Sequence, residues 1–154
     1  MKEKTIALVA HDACKQNLAD WVAYNWEKLI PHRLICTGTT GSVIQKRLEQ
    51  EMESAEKQEP INMHRLLSGP LGGDQQLGAM IAAEEIDIFI FLWDTMSAQP
   101  HDVDVKALLR ISTMYNLPTA CNRTTADYLI SSPLFEGDHP RHEVDFRYYK
   151  DRKL

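Results

Sequence analysis

Four short apolar runs in this 154-residue chain each end in a cluster of glycine, hydroxyl or charged residues. That repeated pattern restricts the fold more than any other feature. His11-Asp12 follows TIALVA, and Thr37-Gly38-Thr39-Thr40-Gly41 follows RLIC. Ser68-Gly-Pro-Leu-Gly-Gly-Asp74 follows MHRLL, and Asp94 through His101 follows IDIFIFLW. A fifth apolar run covers 118–121. Between the runs, apolar residues recur at helical spacing: Leu18, Trp21, Val22 and Leu29; Ile44, Leu48, Met52 and Ala55; Val105, Leu108, Leu109 and Ser112, in a helix over 105–115. Ile86 to Trp93 is continuously apolar apart from Asp87, as a strand covered on both faces should be. Strand–helix alternation predicts an α/β fold in three layers, a parallel sheet with helices on both faces. Loops at the carboxyl ends of such strands converge on one crevice, where ligands bind. The four clusters are therefore expected to meet at one place.

The length predicts one domain, residues 1–154, burying about two-thirds of the surface its unfolded chain exposes. A net charge of −5 provides no general basic surface for nucleic acid, so any anion must be held by local features. The N-terminal apolar run is too short for a signal-peptide core or a membrane span, which predicts a cytoplasmic protein with no membrane partner. The cysteines Cys14, Cys36 and Cys121 show no C-x-x-C spacing and predict neither a disulfide framework nor a zinc site. Cys36 and Cys121 lie in apolar runs and are expected to be small buried hydrophobes. His32, His64, His139 and His142 have no metal-ligand spacing and read as structural or exposed. Residues 46–59 carry five Glu beside Lys46, Arg47 and Lys57, a solvated helix face in which Glu53 and Lys57 form an i,i+4 pair.

The glycines of Thr37–Gly41 allow close backbone approach, and its hydroxyls and first helical N–H groups can bind phosphate. Alternatively, Thr39 or Thr40 caps the next helix. Asp74 has the same ambiguity. It stands where a helix begins and can serve as the N-cap, which depresses its pKa, or as a partly desolvated general base, which raises it. His101 is either a surface histidine or an imidazole held in one tautomer by Asp102 or Asp104. Lys15, one turn beyond His11 and Asp12, offers an anion a cation. Together these groups fit proton abstraction beside the carbonyl of a small phosphorylated substrate. A carboxylate takes the carbon proton, an imidazole stabilises the enediolate oxygen, and a clamp fixes the phosphate.

In order and kind, VAHDACK (9–15), TGTTG (37–41), SGPLGGDQQLGA (68–79), FLWD (91–94), PHDVDVKALLR (100–110) and CNRTTAD (121–127) resemble the methylglyoxal synthase family over essentially the whole chain. The resemblance implies a Rossmann-like five-stranded sheet in the order 3-2-1-4-5. It implies a carbon–oxygen lyase that converts dihydroxyacetone phosphate to methylglyoxal and inorganic phosphate. Such an enzyme uses no metal or organic cofactor, is inhibited by phosphate and assembles as a homohexamer. Position by position, it implies that Asp74 is the proton-shuttling base, that His101 polarises the carbonyl with support from Asp104, and that Asp12 and His11 line the site. Lys15, Thr37, Gly38, Thr39, Thr40, Ser68 and Gly69 hold the phosphate. An arginine near the C-terminus, Arg152 or alternatively Arg147, reaches a neighbouring subunit's site.

Two other readings use the same crevice. An effector-binding module, like the regulatory domain of carbamoyl phosphate synthetase, would bind ligand without turnover. An isomerase of triose or sugar phosphates would share the proton chemistry and retain the phosphate. Asp74, His101 and Asp104 together favour catalysis.

Overall fold

The computed structural model describes residues 2–152. Five strands, β1 (Thr5–Ala10), β2 (Arg33–Thr37), β3 (Met63–Leu66), β4 (Ile88–Leu92) and β5 (Thr119–Ala120), form one sheet in the order β3-β2-β1-β4-β5. Every pairing is parallel, with Ala7 of β1 opposite Ile35 of β2 and Phe89 of β4. The helices are α1 (Lys15–Tyr24), α2 (Trp26–Leu29), α3 (Gly38–Ser54), α4 (Gly73–Ala82), α5 (Asp102–Met114), α6 (Arg123–Ser131), α7 (Pro133–Glu136) and α8 (Arg147–Lys150). Sheet alternation sorts the core into two halves. Ile6, Leu8 and Ala10 pack with Trp21, Ile44, Leu48 and Ile130 on one face. Ala7, Val9, Phe89 and Phe91 pack with Leu77, Ile81, Val105 and Leu108 on the other. Both faces being covered explains why β1 and β4 are apolar without alternation.

The chain winds outward from β1 to β3 and then returns to β4 on the far side of β1, so the direction reverses between β1 and β4. Loops on either side of such a reversal diverge and leave a crevice at the carboxyl ends of the strands. No helix among the described residues is long and apolar enough to cross a membrane.

Several local expectations change. The helical pattern from Leu18 to Leu29 is broken at Asn25, whose side chain donates to the Trp21 carbonyl (2.8 Å) and separates α1 from α2. Lys57 does not pair with Glu53, because α3 ends at Ser54 and Glu56 turns left-handed at φ 54°. Lys57 instead reaches Glu27 (2.6 Å) and sits 5.0 Å from the centroid of the Trp26 ring, while the i,i+4 pair on this face is Arg47–Glu51 (3.1 Å). Asp87, the interruption in the fourth apolar run, accepts the Thr5 N–H (2.7 Å) at the start of β1. β5 is shorter than 118–121 because Pro118 has no N–H to give the ladder. Cys36 is fully buried and its thiol is pushed up to about 12 by desolvation. Cys121, beyond the strand, is only partly buried.

Candidate active site

Four strand-end loops enclose a cleft of ≈ 580 Å³ lined by His11, Asp12, Lys15, Thr37, Thr39, Thr40, Ser68, Gly69, Asp74 and His101. Each loop is bonded to the next. His11 continues the sheet by donating its N–H to the Leu92 carbonyl (3.2 Å), and its Nδ1 accepts the Asp94 N–H (3.0 Å). An accepting Nδ1 leaves the proton of neutral His11 on Nε2, which is buried without a partner among the described residues. Burial, with His101 nearby, holds the His11 imidazole below its usual range and so keeps it neutral. On the other side, Thr40 Oγ1 donates to the Ala10 carbonyl (3.3 Å), and Lys15 Nζ bridges Asp12 and Thr39. These bonds tie the β1 and β2 loops together.

Neither Thr39 nor Thr40 caps α3. The N-cap is Thr37, which makes no side-chain cap bond; the Gly38 N–H goes to the Leu67 carbonyl (3.1 Å), and Thr39 and Thr40, the next residues of the first turn, line the cleft. Asp74 likewise does not cap α4. It lies in the helix's first turn behind Gly72, which takes the N-cap position at φ 106°. Its carboxyl is 4% exposed, Oδ2 has no hydrogen-bond partner among the described residues, and His101 Nε2 stands 3.7 Å away. Burial pushes the Asp74 carboxyl above the usual range; His101 opposes this and Asp104 adds to it. A Cβ on Gly69 would lie 3.0 Å from both Asp74 oxygens, so any larger residue there would push on the carboxylate that the backbone closes over.

The expected tether of His101 to Asp102 or Asp104 is absent. Asp102 instead pairs with Lys106 (2.7 Å) one turn along, and Asp104 bonds to His101 only through its own N–H to the His101 carbonyl (2.9 Å). His101 Nδ1 has no partner among the described residues, and its ring lies 5.6 Å from that of His11. Arg152 stacks 3.7 Å over the Tyr149 ring, and Arg147 pairs with Asp145 (2.7 Å), so neither reaches its own chain's cleft. Asp94, Ser97 and Gln99, part of the fourth polar cluster but given no individual role from sequence, also line the cleft. Asp94 accepts the N–H groups of Met96 (2.9 Å) and Ser97 (3.2 Å), a turn that its Asp-x-x-Ser spacing could have revealed. The Ser97 side chain first, and then these backbone bonds, hold its carboxyl below the usual range. No group of three or more His, Cys, Asp or Glu among the described residues is placed to hold a metal ion.

The fold and cleft define a doubly wound α/β protein whose strand-end crevice gathers a buried carboxylate, two imidazoles and a lysine. Residues 17–121 match the model of the MGS-like domain family. The methylglyoxal synthase of Maridesulfovibrio salexigens is 55% identical over 157 residues, covering 99% of each chain. That of Coxiella burnetii is 48% identical over 152 residues, again covering 99% of each. The crystal structure of methylglyoxal synthase from Elizabethkingia anophelis NUHP1 superposes with a TM-score of 0.86 at 47% identity, covering 99% of this chain and 93% of that one. The chain belongs to the methylglyoxal synthase family and is an enzyme.

Proposed function

We propose that the cleft converts dihydroxyacetone phosphate to methylglyoxal and inorganic phosphate, a carbon–oxygen lyase reaction. The observation that carries the reading is Asp74, a buried carboxylate with an unpartnered oxygen 3.7 Å from an imidazole. The phosphoryl group is held by the N–H groups of Thr39 and Thr40 in the first turn of α3, the hydroxyls of Thr37, Thr39, Thr40 and Ser68, the backbone of Gly69, and Lys15, with Gly38 allowing the close approach. Lys15 gains the phosphate by exchanging its contact with Asp12. Asp74 removes a proton from the hydroxymethyl carbon, and its raised pKa makes it a stronger base than an exposed aspartate. His101 and the Nε2–H of His11 donate to the carbonyl oxygen as the enediolate forms. Asp104 raises the proton affinity of Asp74 from behind.

Elimination follows when the carbon–oxygen bond to phosphate stands perpendicular to the enediolate plane. The hydroxyl of the former hydroxymethyl carbon passes its proton to the departing phosphate and becomes an aldehyde. The double bond shifts by one carbon, and phosphate departs with the bonding electron pair. The resulting enolate takes on its terminal carbon the proton that Asp74 removed, which gives methylglyoxal and restores the carboxylate. Every step uses side chains and backbone dipoles, so no metal or organic cofactor enters.

Phosphate, as product, competes for the same N–H groups and acts as an inhibitor. Arg147 and Arg152 pair within the exposed tail and do not line their own chain's cleft, which is compatible with a homohexamer in which one of these arginines serves a neighbour's site. Three free thiols fit a reducing, cytoplasmic compartment.

Incubation with dihydroxyacetone phosphate is the direct test, with methylglyoxal and phosphate expected in equal amounts. Glyceraldehyde phosphate as the product would replace the lyase reading with an isomerase. Saturable binding without turnover would make the protein a sensor.

A further inference from the structure

Asp74 and the phosphate loop lie on different elements, and one residue between them touches both. The Leu67 carbonyl accepts the Gly38 N–H (3.1 Å), which fixes it to the phosphate loop. The same carbonyl presses on the start of α4, where a Cβ at Gly73 would come within 2.0 Å of its oxygen. Gly38 meets the next residue just as closely, since a Cβ there would lie 2.7 Å from Ser68 Cα. The other end of the Leu67 residue is also held, because its N–H donates to Gln76 Oε1 (2.9 Å). A backbone N–H can only donate, so the side-chain oxygen of Gln76 must face it.

We propose that Gln76 is a positioning residue that clamps Leu67, and through Leu67 fixes the distance between the phosphate loop and the Asp74 carboxylate. The proposal rests on the lyase reading of the cleft and adds to it a residue that does not line the cleft. Gln76 acts from the second turn of α4, on the helix that carries Asp74, and reaches back to the strand-end backbone. With the clamp in place, the Leu67–Gly69 backbone cannot slide relative to Gly38, and Gly69 stays closed over the carboxylate. The bond is solvent-exposed, so water replaces it at little cost to stability. Alignment of base and substrate is far less tolerant, because displacements on the scale of an ångström lower rates steeply.

The test compares Gln76→Met, which removes the acceptor, with Gln76→Glu, which keeps it. The expected result for Gln76→Met is a fall in kcat of about tenfold or more, with the KM for dihydroxyacetone phosphate and the melting temperature nearly unchanged. Gln76→Glu restores most of the lost kcat. Amide exchange at Leu67 accelerates in the Met variant and not in the Glu variant. A Met variant with wild-type kcat overturns the proposal, as does a loss of kcat that Glu fails to rescue. If the wild-type protein itself makes no methylglyoxal, the lyase reading falls. The clamp is then judged on exchange alone, and an unchanged Leu67 amide in the Met variant overturns it.

Discussion

His11 and His32 sit at opposite ends of the sheet in nearly the same local setting. Both are buried, at 8% and 1% exposure, and each accepts a backbone N–H at Nδ1, from Asp94 (3.0 Å) and Lys4 (3.2 Å). Each leaves Nε2 without a partner among the described residues and meets a phenylalanine edge-on at 5.3 Å, Phe91 for His11 and Phe135 for His32. Desolvation is the main reason that both imidazoles are held below the usual range. What differs is the company. His11 stands beside His101 and lines the same cleft as Asp74, whereas His32 packs between the N-terminal segment and α7. A buried, neutral, under-bonded histidine is therefore not by itself a mark of chemistry. Convergence at the sheet's switch point is what makes it one.

The largest effect comes from removing the group that only the His11 end possesses. Asp74→Asn is expected to fold normally and to lose turnover by about a thousandfold or more, because an amide cannot take a carbon proton. Steady-state activity above about a hundredth of wild type counts against Asp74 as the base. The matched pair His11→Leu and His32→Leu then tests the comparison itself. Each strands one buried N–H and is expected to lower unfolding free energy by about 1–3 kcal/mol. Only His11→Leu is expected also to lower kcat, by about a hundredfold. Equal kcat losses in the two variants, measured well below their melting temperatures, would break the contrast.

Lys15→Ala sharpens the picture next to His11. It is expected to raise KM about tenfold with kcat nearly unchanged, since a phosphate contact serves the ground state and transition state alike. An unchanged KM removes Lys15 from the site. The smallest effect is on pH-dependent stability. Both histidines bind protons less readily when folded than at their ordinary 6.5, so the unfolded chain takes up protons first as the pH falls. Stability is complete above that value and declines below it, until the folded imidazoles also protonate. Thermal melts between pH 7 and pH 5 should show a shallower decline in His32→Leu than in wild type, and equal slopes would remove His32 from this role.

Much of this architecture is legible in the sequence. The apolar runs mark the strands because a doubly covered parallel sheet needs unbroken hydrophobicity, and the polar clusters mark the crevice because strand ends must converge there. Cleft membership of Asp74, His101, Lys15 and the Thr37–Gly41 loop followed from their places after those runs. Other features depend on backbone geometry that residue types do not encode. The Asp74 cap was a fair local expectation, but Gly72 at φ 106° takes the cap position and frees the carboxyl to turn toward His101. Lys57 left its expected partner because a left-handed Glu56 ends the helical spacing. The bond from the Asp94 N–H to His11 spans 83 positions, and the absence of a carboxylate on His101 Nδ1 is a matter of side-chain direction.

Cys36, at the heart of β2, has a consequence for experiment rather than for chemistry. Its thiol is fully enclosed and stays protonated up to about 12, so alkylating reagents in the surrounding buffer cannot attack it while the sheet is intact. Labelling at Cys36 therefore counts sheet-opening events, one modified molecule at a time, while the half-buried Cys14 and Cys121 are open to reagent with smaller local openings. The chain thus carries its own clock for unfolding, readable by mass spectrometry without adding a probe.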